Sequence, residues 1–241
     1  MFNNIKKSDP AFSQIVRKNG VIIVIYRASV RYIIFQTALM NFLAHLYLSG
    51  NHEEIMVGNF IGDYVKGKEY LYYPEKIRKG IMLHRYIDSY TDSHPVTKLS
   101  RAHVSEKYGK YSGIVTDIFY DYFLSSSWEV YSTVELNTYV DYVFSTLKKH
   151  YYDYPQGIKN WFPNFIRNNW LLKYSSIEGI EEVLHRMSSR TSLPDYSTFA
   201  VGILREREVE MRNEFLMFFD DIRIFVENEH GIITGPPRVT E

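Results

Sequence analysis

From Gly113 the chain runs GIVTDIFYDYFL, apolar or aromatic almost all the way round a helix, with Asp117 and Asp121 as its only charges. A helix of that composition must be buried on nearly every face, so it belongs at the centre of a multi-helix packing rather than on a surface. The two carboxylates stand i, i+4 on one side of it, with no Lys or Arg on the helix to balance them. Buried like charges repel, so the pair needs a shared proton or a cation. The chain has no Cys. Disulfides, thiolate metal sites and a Cys nucleophile are therefore excluded, and any metal must be held by His, carboxylate, amide or water.

Three other apolar segments carry the same violation. Ile77, Ile81, His84 and Asp88 follow one helical stripe that begins apolar and ends in an imidazole and a carboxylate, and Asp92 extends it by a turn. An amphipathic helix does not turn a carboxylate toward its core without compensation. In MVGNFIGDYV, Asn59 and Asp63 stand i, i+4, flanked by Gly58 and Gly62. Glycine inside a helix costs about 1 kcal/mol relative to Ala but permits close helix approach. His45 sits within FLAHLYL. Helices that project such groups inward are a recurrent way to build a metal site, and this oxygen-rich set with one or two imidazoles suits Mn²⁺, Mg²⁺ or Fe²⁺. Plainer readings exist for each residue: His45 as a satisfied core histidine, His84 with Asp88 as a hydrogen-bonded pair, Asp92 as a helix end before Pro95, Asn59 as an amide bonded to backbone. His52, His103, His150, His185 and His230 lie in polar contexts and read as surface residues.

After Met40 no alternating strand pattern, internal repeat or low-complexity linker occurs. The expected helices are 41–49, 53–66, 74–93, 96–108, 112–127, 133–151, 157–173, 176–188 and 195–228, giving one all-α, bundle-like domain over 40–230. The tail 231–241, with its Gly-Pro-Pro, is expected to fray. Formal net charge is zero, so no global field points to nucleic acid or a membrane surface. The 21 Tyr and 15 Phe predict packed but partly wet helix contacts. Residues 1–39 differ: VIIVIY (Val21 to Tyr26) is strand-like, and Tyr32 to Leu48 is apolar. Arg27 and Arg31 separate these runs, and the second falls short of a spanning length. The extension is expected to lie outside the functional domain, with no membrane anchor and a cytoplasmic location.

At these positions the sequence resembles the acyl carrier protein phosphodiesterase family. The resemblance is carried by MNFLAHLYLS from Met40, GNFIGDYVKG (Gly58 to Gly67), GIMLHRYIDSYTDSHP (Gly80 to Pro95) and IVTDIFYDYFLSSSW (Ile114 to Trp128). It implies an all-α fold distantly related to HD-domain phosphohydrolases, although no His-Asp dipeptide occurs. It also implies a Mn²⁺-dependent hydrolase that removes the 4′-phosphopantetheine arm from holo acyl carrier protein. Carried over residue by residue, it puts weight on Asp63, His84, Asp88, Asp117 and Asp121, with His45, Asn59 and Asp92 nearby. The family often has His where this chain has Tyr122.

For that reaction the expected metal ligands are His84, Asp88, Asp117, Asp121 and His45. Asp63 would be ligand or general base, with His84, Asp88 and Arg85 completing the catalytic set. Arg85 is a bidentate phosphate contact or points to solvent. Lys66, Lys68, Lys76, Arg78 and Lys79 outnumber Glu69 and Glu75; this excess is either a solvated face or a rim for an acidic protein, with Lys66 and Lys79 as substrate contacts. The alternatives are an HD-like phosphohydrolase acting on a nucleotide or small phosphoester, and a non-catalytic helical module that binds an acidic partner.

Overall fold

The computed structural model describes residues 12–18, 21–26 and 42–236. Strands β1 (Phe12–Lys18) and β2 (Val21–Tyr26) pair antiparallel, and β2 coincides with the strand-like run. The rest of residues 1–39 lies outside the described residues. From Phe42 onward the fold is all-α. Among the described residues no helix is long and apolar enough to cross a membrane.

Helix α1 (Phe42–Leu48) is buried along its whole length, as the uninterrupted FLAHLYL requires. Helices α2 (Glu53–Ile61) and α3 (Glu75–Ser93) cross at a glycine pair. A Cβ on Gly58 would stand 2.1 Å from the Ile77 carbonyl oxygen, and one on Gly80 the same distance from that of Ile55. No other residue type permits backbones that close. Helix α4 (Pro95–Tyr108) starts with Pro95 in its first turn and His94 Nδ1 accepting from the Val96 amide at 3.3 Å. The apolar helix α5 (Ser112–Ser126) is central as expected, burying Val115, Ile118, Phe119, Phe123 and Leu124. After it come the short α6 (Trp128–Tyr131) and α7 (Leu136–Lys149), which buries Tyr139, Val140, Val143 and Leu147 on one stripe.

Three expected helices are broken. The segment 53–66 leaves α-geometry at Gly62 and becomes a 3₁₀ turn, Gly62–Tyr64. The segment 157–173 is three pieces, α8 (Gln156–Lys159), α9 (Phe162–Arg167) and α10 (Trp170–Lys173). Pro163 opens α9, where its missing N–H is tolerated, and Asn169 takes a left-handed conformation, φ 47°, that ends the run. Beyond α11 (Ile177–Ser188), the expected 195–228 helix divides at Arg207 into α12 (Ser197–Glu206) and α13 (Glu208–His230).

The tail is packed through Pro236, where fraying from Gly231 was expected. Gly231 closes α13 with φ 61°, a left-handed C-terminal stop. Ile232 is fully buried, and the Gly235 amide donates to the Tyr47 carbonyl at 2.9 Å. Residues 237–241 lie outside the described residues.

Candidate active site

Four elements converge on one cluster. His45 comes from α1, Asn59 from α2, Asp63 from the 3₁₀ turn, and His84 and Asp88 from α3. Gly62 makes the convergence possible: a Cβ there would stand 2.3 Å from His84 Cγ, so only glycine lets the turn lie against the imidazole. Breaking the helix at that residue also swings Asp63 over the end of the ring. His84 Nε2 lies 3.3 Å from Asp63 Oδ1 and 3.4 Å from Asp88 Oδ2, and His45 Nε2 lies 3.4 Å from Asp88 Oδ1. The two imidazoles lie with ring centroids 4.4 Å apart. Their side chains are only 5% and 8% exposed, whereas that of Asp88 is 49% exposed. The cluster therefore has a buried nitrogen floor and a carboxylate mouth.

Asn59 sets the ring orientation. Its Nδ2 donates to the His45 carbonyl at 2.8 Å and to Ser49 Oγ at 2.9 Å. That turns Oδ1 toward the rings, where it accepts from His45 Nδ1 at 2.7 Å and His84 Nδ1 at 3.2 Å. With both Nδ1 atoms protonated toward one acceptor, both Nε2 atoms face Asp88. His84 Nε2 has no hydrogen-bond partner although it is buried. A lone pair aimed at carboxylates is repulsive unless a proton or cation lies between them. Burial opposes an imidazolium at His84, but the Asp63 and Asp88 carboxylates outweigh it and raise its pKa. Burial likewise pushes the Asp88 carboxyl up, and His45 and His84 more than reverse this, leaving it below its ordinary value. The set is poised to hold one positive charge at its centre.

A divalent ion fits the donors. One ligand atom each from His45, His84 and Asp88 lies within 4.8 Å of the others. Neighbouring donors about 2.1 Å from a shared ion are themselves roughly 3 Å apart, close to the 3.3 to 3.4 Å separations found here. Hydrogen-bonding the far ring nitrogens to one amide is the arrangement that orients metal-ligating histidines.

Other expected site residues are placed elsewhere. Asp121 is fully buried, and its two oxygens accept from the Leu43 and Ala44 amides at 3.0 and 2.9 Å. It holds the first turn of α1 rather than facing the imidazoles, because free helix N–H groups are strong partners for a carboxylate. Burial still pushes its pKa up to about 7, against the pull of the two amides. Asp117, one turn earlier, is not among the clustered ligand atoms either. Burial raises its pKa well above the ordinary value, Arg101 of α4 opposes this, and Asp88, Asp92 and Asp121 add to the rise. Asp92 pairs with Arg101 at 2.6 Å. Arg101 of α4 thus pairs with Asp92 and only partly offsets Asp117. Arg101 went unremarked in the sequence, as did Ser49, because neither breaks an apolar pattern.

The expected phosphate contact Arg85 is occupied otherwise. It donates to the Val65 carbonyl at 2.8 Å and lies over the Tyr70 ring, 5.1 Å from its centroid, so it braces the loop after Asp63. Lys66 Nζ donates to the Asp63 carbonyl, which places it at the rim of the cluster. Lys79 instead lies on the α3 face toward His230, against which Tyr86 also packs. Tyr122 donates to Glu208 Oε1 at 3.1 Å on α13.

The sequence model of the family described as acyl carrier protein phosphodiesterase matches residues 40–222. Curated relatives include proteins named acyl carrier protein phosphodiesterase from Pectobacterium atrosepticum, Photorhabdus laumondii and Yersinia pestis. They are 34%, 33% and 32% identical over 152 residues, covering 63% of this chain and 79%, 77% and 79% of the respective relatives. No solved structure matches the chain.

Proposed function

Because the chain belongs to the acyl carrier protein phosphodiesterase family, a family of phosphodiester hydrolases, we propose that it releases 4′-phosphopantetheine from holo acyl carrier protein at the His45–His84–Asp88 cluster. The observation that carries this reading is the single amide, Asn59, orienting two buried imidazoles so that both Nε2 atoms face the Asp88 carboxylate, an electronegative set of donors suited to a cation. His45, His84 and Asp88 would hold the ion, and its expected identity is Mn²⁺, with Mg²⁺ or Fe²⁺ as substitutes. When bound, a divalent ion lowers the pKa of its water and neutralises phosphoryl oxygens.

The chain's own groups do the rest. Asp63 flanks His84 Nε2 at 3.3 Å, next to the clustered donors, which supports a role for it as general base toward the attacking water or as a further ligand. That water adds to phosphorus, the bond from phosphorus to the carrier serine oxygen breaks, and the serine oxygen leaves with a proton. The products are apo carrier protein and 4′-phosphopantetheine. Asp88, half exposed, borders the mouth through which the arm enters. The loop beyond Asp63 offers Lys66 and Lys68 with the exposed Leu71 and Tyr72, a basic and apolar rim matched to an acidic helical protein.

Mass spectrometry of holo acyl carrier protein after incubation with the chain and Mn²⁺ tests the reaction. Loss of the mass of the arm is expected. Intact holo protein beside hydrolysis of a nucleotide would favour a small-phosphoester hydrolase. Metal-independent binding without turnover would leave a docking module.

A further inference from the structure

Where α4 crosses α13, His103, Glu210 and Glu214 bring one imidazole nitrogen and two carboxylate oxygens within 4.8 Å of one another. His103 lies in a polar stretch of sequence, yet its side chain is only 9% exposed. Glu214 stands on the α13 stripe that also buries Met211, Phe215 and Phe218. A carboxylate at such a position needs a compensating partner. Among the described residues no Lys or Arg forms an ion pair with it. Ser100 Oγ donates to Glu214 Oε2 at 2.5 Å and is itself tied to Tyr120 OH at 2.8 Å. The other oxygen, Oε1, faces His103 Nε2 at 3.0 Å. Glu210, one turn earlier and exposed, touches Arg207 at 3.4 Å.

The geometry points to a second divalent-metal site at His103, Glu210 and Glu214, sharing no residue with the His45–His84–Asp88 cluster. One nitrogen and two carboxylates make a donor set for zinc or manganese. The 3.0 Å between His103 Nε2 and Glu214 Oε1 equals the spacing of neighbouring donors on a first-row ion, roughly 3 Å. Ser100 fixes the oxygen of Glu214 that does not face the imidazole, so the ligand oxygen is held in place before the ion arrives. Exposed Glu210 gives the ion a route in and leaves positions for water. The ion joins α4 to α13 and serves the fold, not the chemistry. Arg207 at 3.4 Å offsets Glu210, while among the described residues the ion-pair partner of buried Glu214 is the His103 imidazole alone, and a bound cation supplies the charge that Glu214 otherwise lacks.

The test uses the full chain, stripped with a chelator and dialysed against micromolar Zn²⁺, with bound metal counted. Glu210→Gln keeps the buried His103–Glu214 contact and therefore the fold. It is expected to bind one ion fewer than wild type, to lose part of the rise in melting temperature on adding Zn²⁺, and to hydrolyse holo carrier protein with Mn²⁺ within about twofold of wild type. His103→Gln is expected to do the same. His84→Ala is expected to lose one ion independently, and the double variant His84→Ala/Glu210→Gln to lose both. If Glu210→Gln and His103→Gln bind as many ions as wild type, the cluster is a buried ion pair and the proposal falls. A failure of the first cluster shows separately, as a His84→Ala variant that loses none.

Discussion

On α3, His84 and Asp88 stand one turn apart on an apolar face; on α5, Asp117 and Asp121 do the same. By pattern the two pairs are equivalent, and the fold compensates them differently. The α3 pair meets other ionisable groups, His45 and Asp63, and the buried His84 Nε2 is left without a hydrogen bond. The α5 pair meets fixed donors at one member only: two amides of α1 take up Asp121, while Asp117 Oδ1 is buried without a hydrogen bond and feels the field of Arg101. An apolar helix with an embedded carboxylate announces that a desolvated charge must be offset. Whether the offset is a backbone dipole, a guanidinium or a bound ion depends on what the neighbouring helices present.

The sharpest way to break this contrast is to remove one member of the α3 pair. His84→Ala or Asp88→Asn should lower turnover about 10³-fold or more, since a bound cation supplies several kcal/mol to the transition state and each 1.36 kcal/mol is tenfold in rate. The rise in melting temperature on adding Mn²⁺ should shrink while the apo fold persists by circular dichroism. Wild-type turnover in either variant would remove the cluster from the chemistry.

A smaller effect is expected at Asn59. Asn59→Ala frees both Nδ1 atoms, so the rings lose their shared orientation, and metal affinity should weaken about 10- to 100-fold. Titration calorimetry with Mn²⁺ reads this directly, and unchanged affinity would mean the rings orient themselves.

The α5 pair should respond in stability rather than in metal. Asp121→Asn retains one acceptor oxygen and turns an N–H toward an amide donor. We expect a loss of about 1–3 kcal/mol in urea melts, with the Mn²⁺-induced gain intact. The pH dependence carries the same message. The Asp121 carboxyl, raised by burial to about 7, keeps a proton in the fold that the unfolded chain releases near pH 4. Its contribution is therefore fully present below that unfolded value and is lost as pH rises through about 7, with a slope of up to about 1.4 kcal/mol per pH unit. Wild type should lose apo stability over that window, and Asp121→Asn should lose less. An identical slope in both would show that the carboxyl ionises normally.

The smallest effect belongs to Asp117. Burial holds its carboxyl well above the ordinary range, so the neutral amide of Asp117→Asn resembles the acid it replaces. A change under about 1 kcal/mol, with turnover near wild type, is expected. Turnover falling as far as in His84→Ala would instead draw Asp117 into the metal cluster and collapse the contrast between the helices.

Much of the domain was legible in the residues. Continuous apolar runs marked α1 and α5 as buried, and Gly58 marked the close crossing of α2 with α3. The breaks were harder to read. Pro163 and Asn169 divide 157–173, and at Gly62, where α2 gives way to a 3₁₀ turn, His84 occupies the space a Cβ would need, a contact between residues far apart in the chain. Glu214 escaped attention because it stands near the start of a helix rich in exposed charge, although its burial follows the same rule that singled out His84 and Asp88.

By itself the sequence determined the helical class and which segments must be buried, because those follow from local periodicity and from the free energy of removing apolar surface from water. It also located several of the buried polar groups, among them His45, Asn59, His84 and Asp121, since a polar residue on an apolar stripe is visible in one dimension. Only the tertiary structure decided which charges share a cavity. Asp121 and Asp88 look alike in the chain, but one ends beneath two free amides of α1 and the other opposite two imidazoles. Electrostatic compensation acts over a few ångströms between groups from different helices, and those distances exist only once the helices have packed.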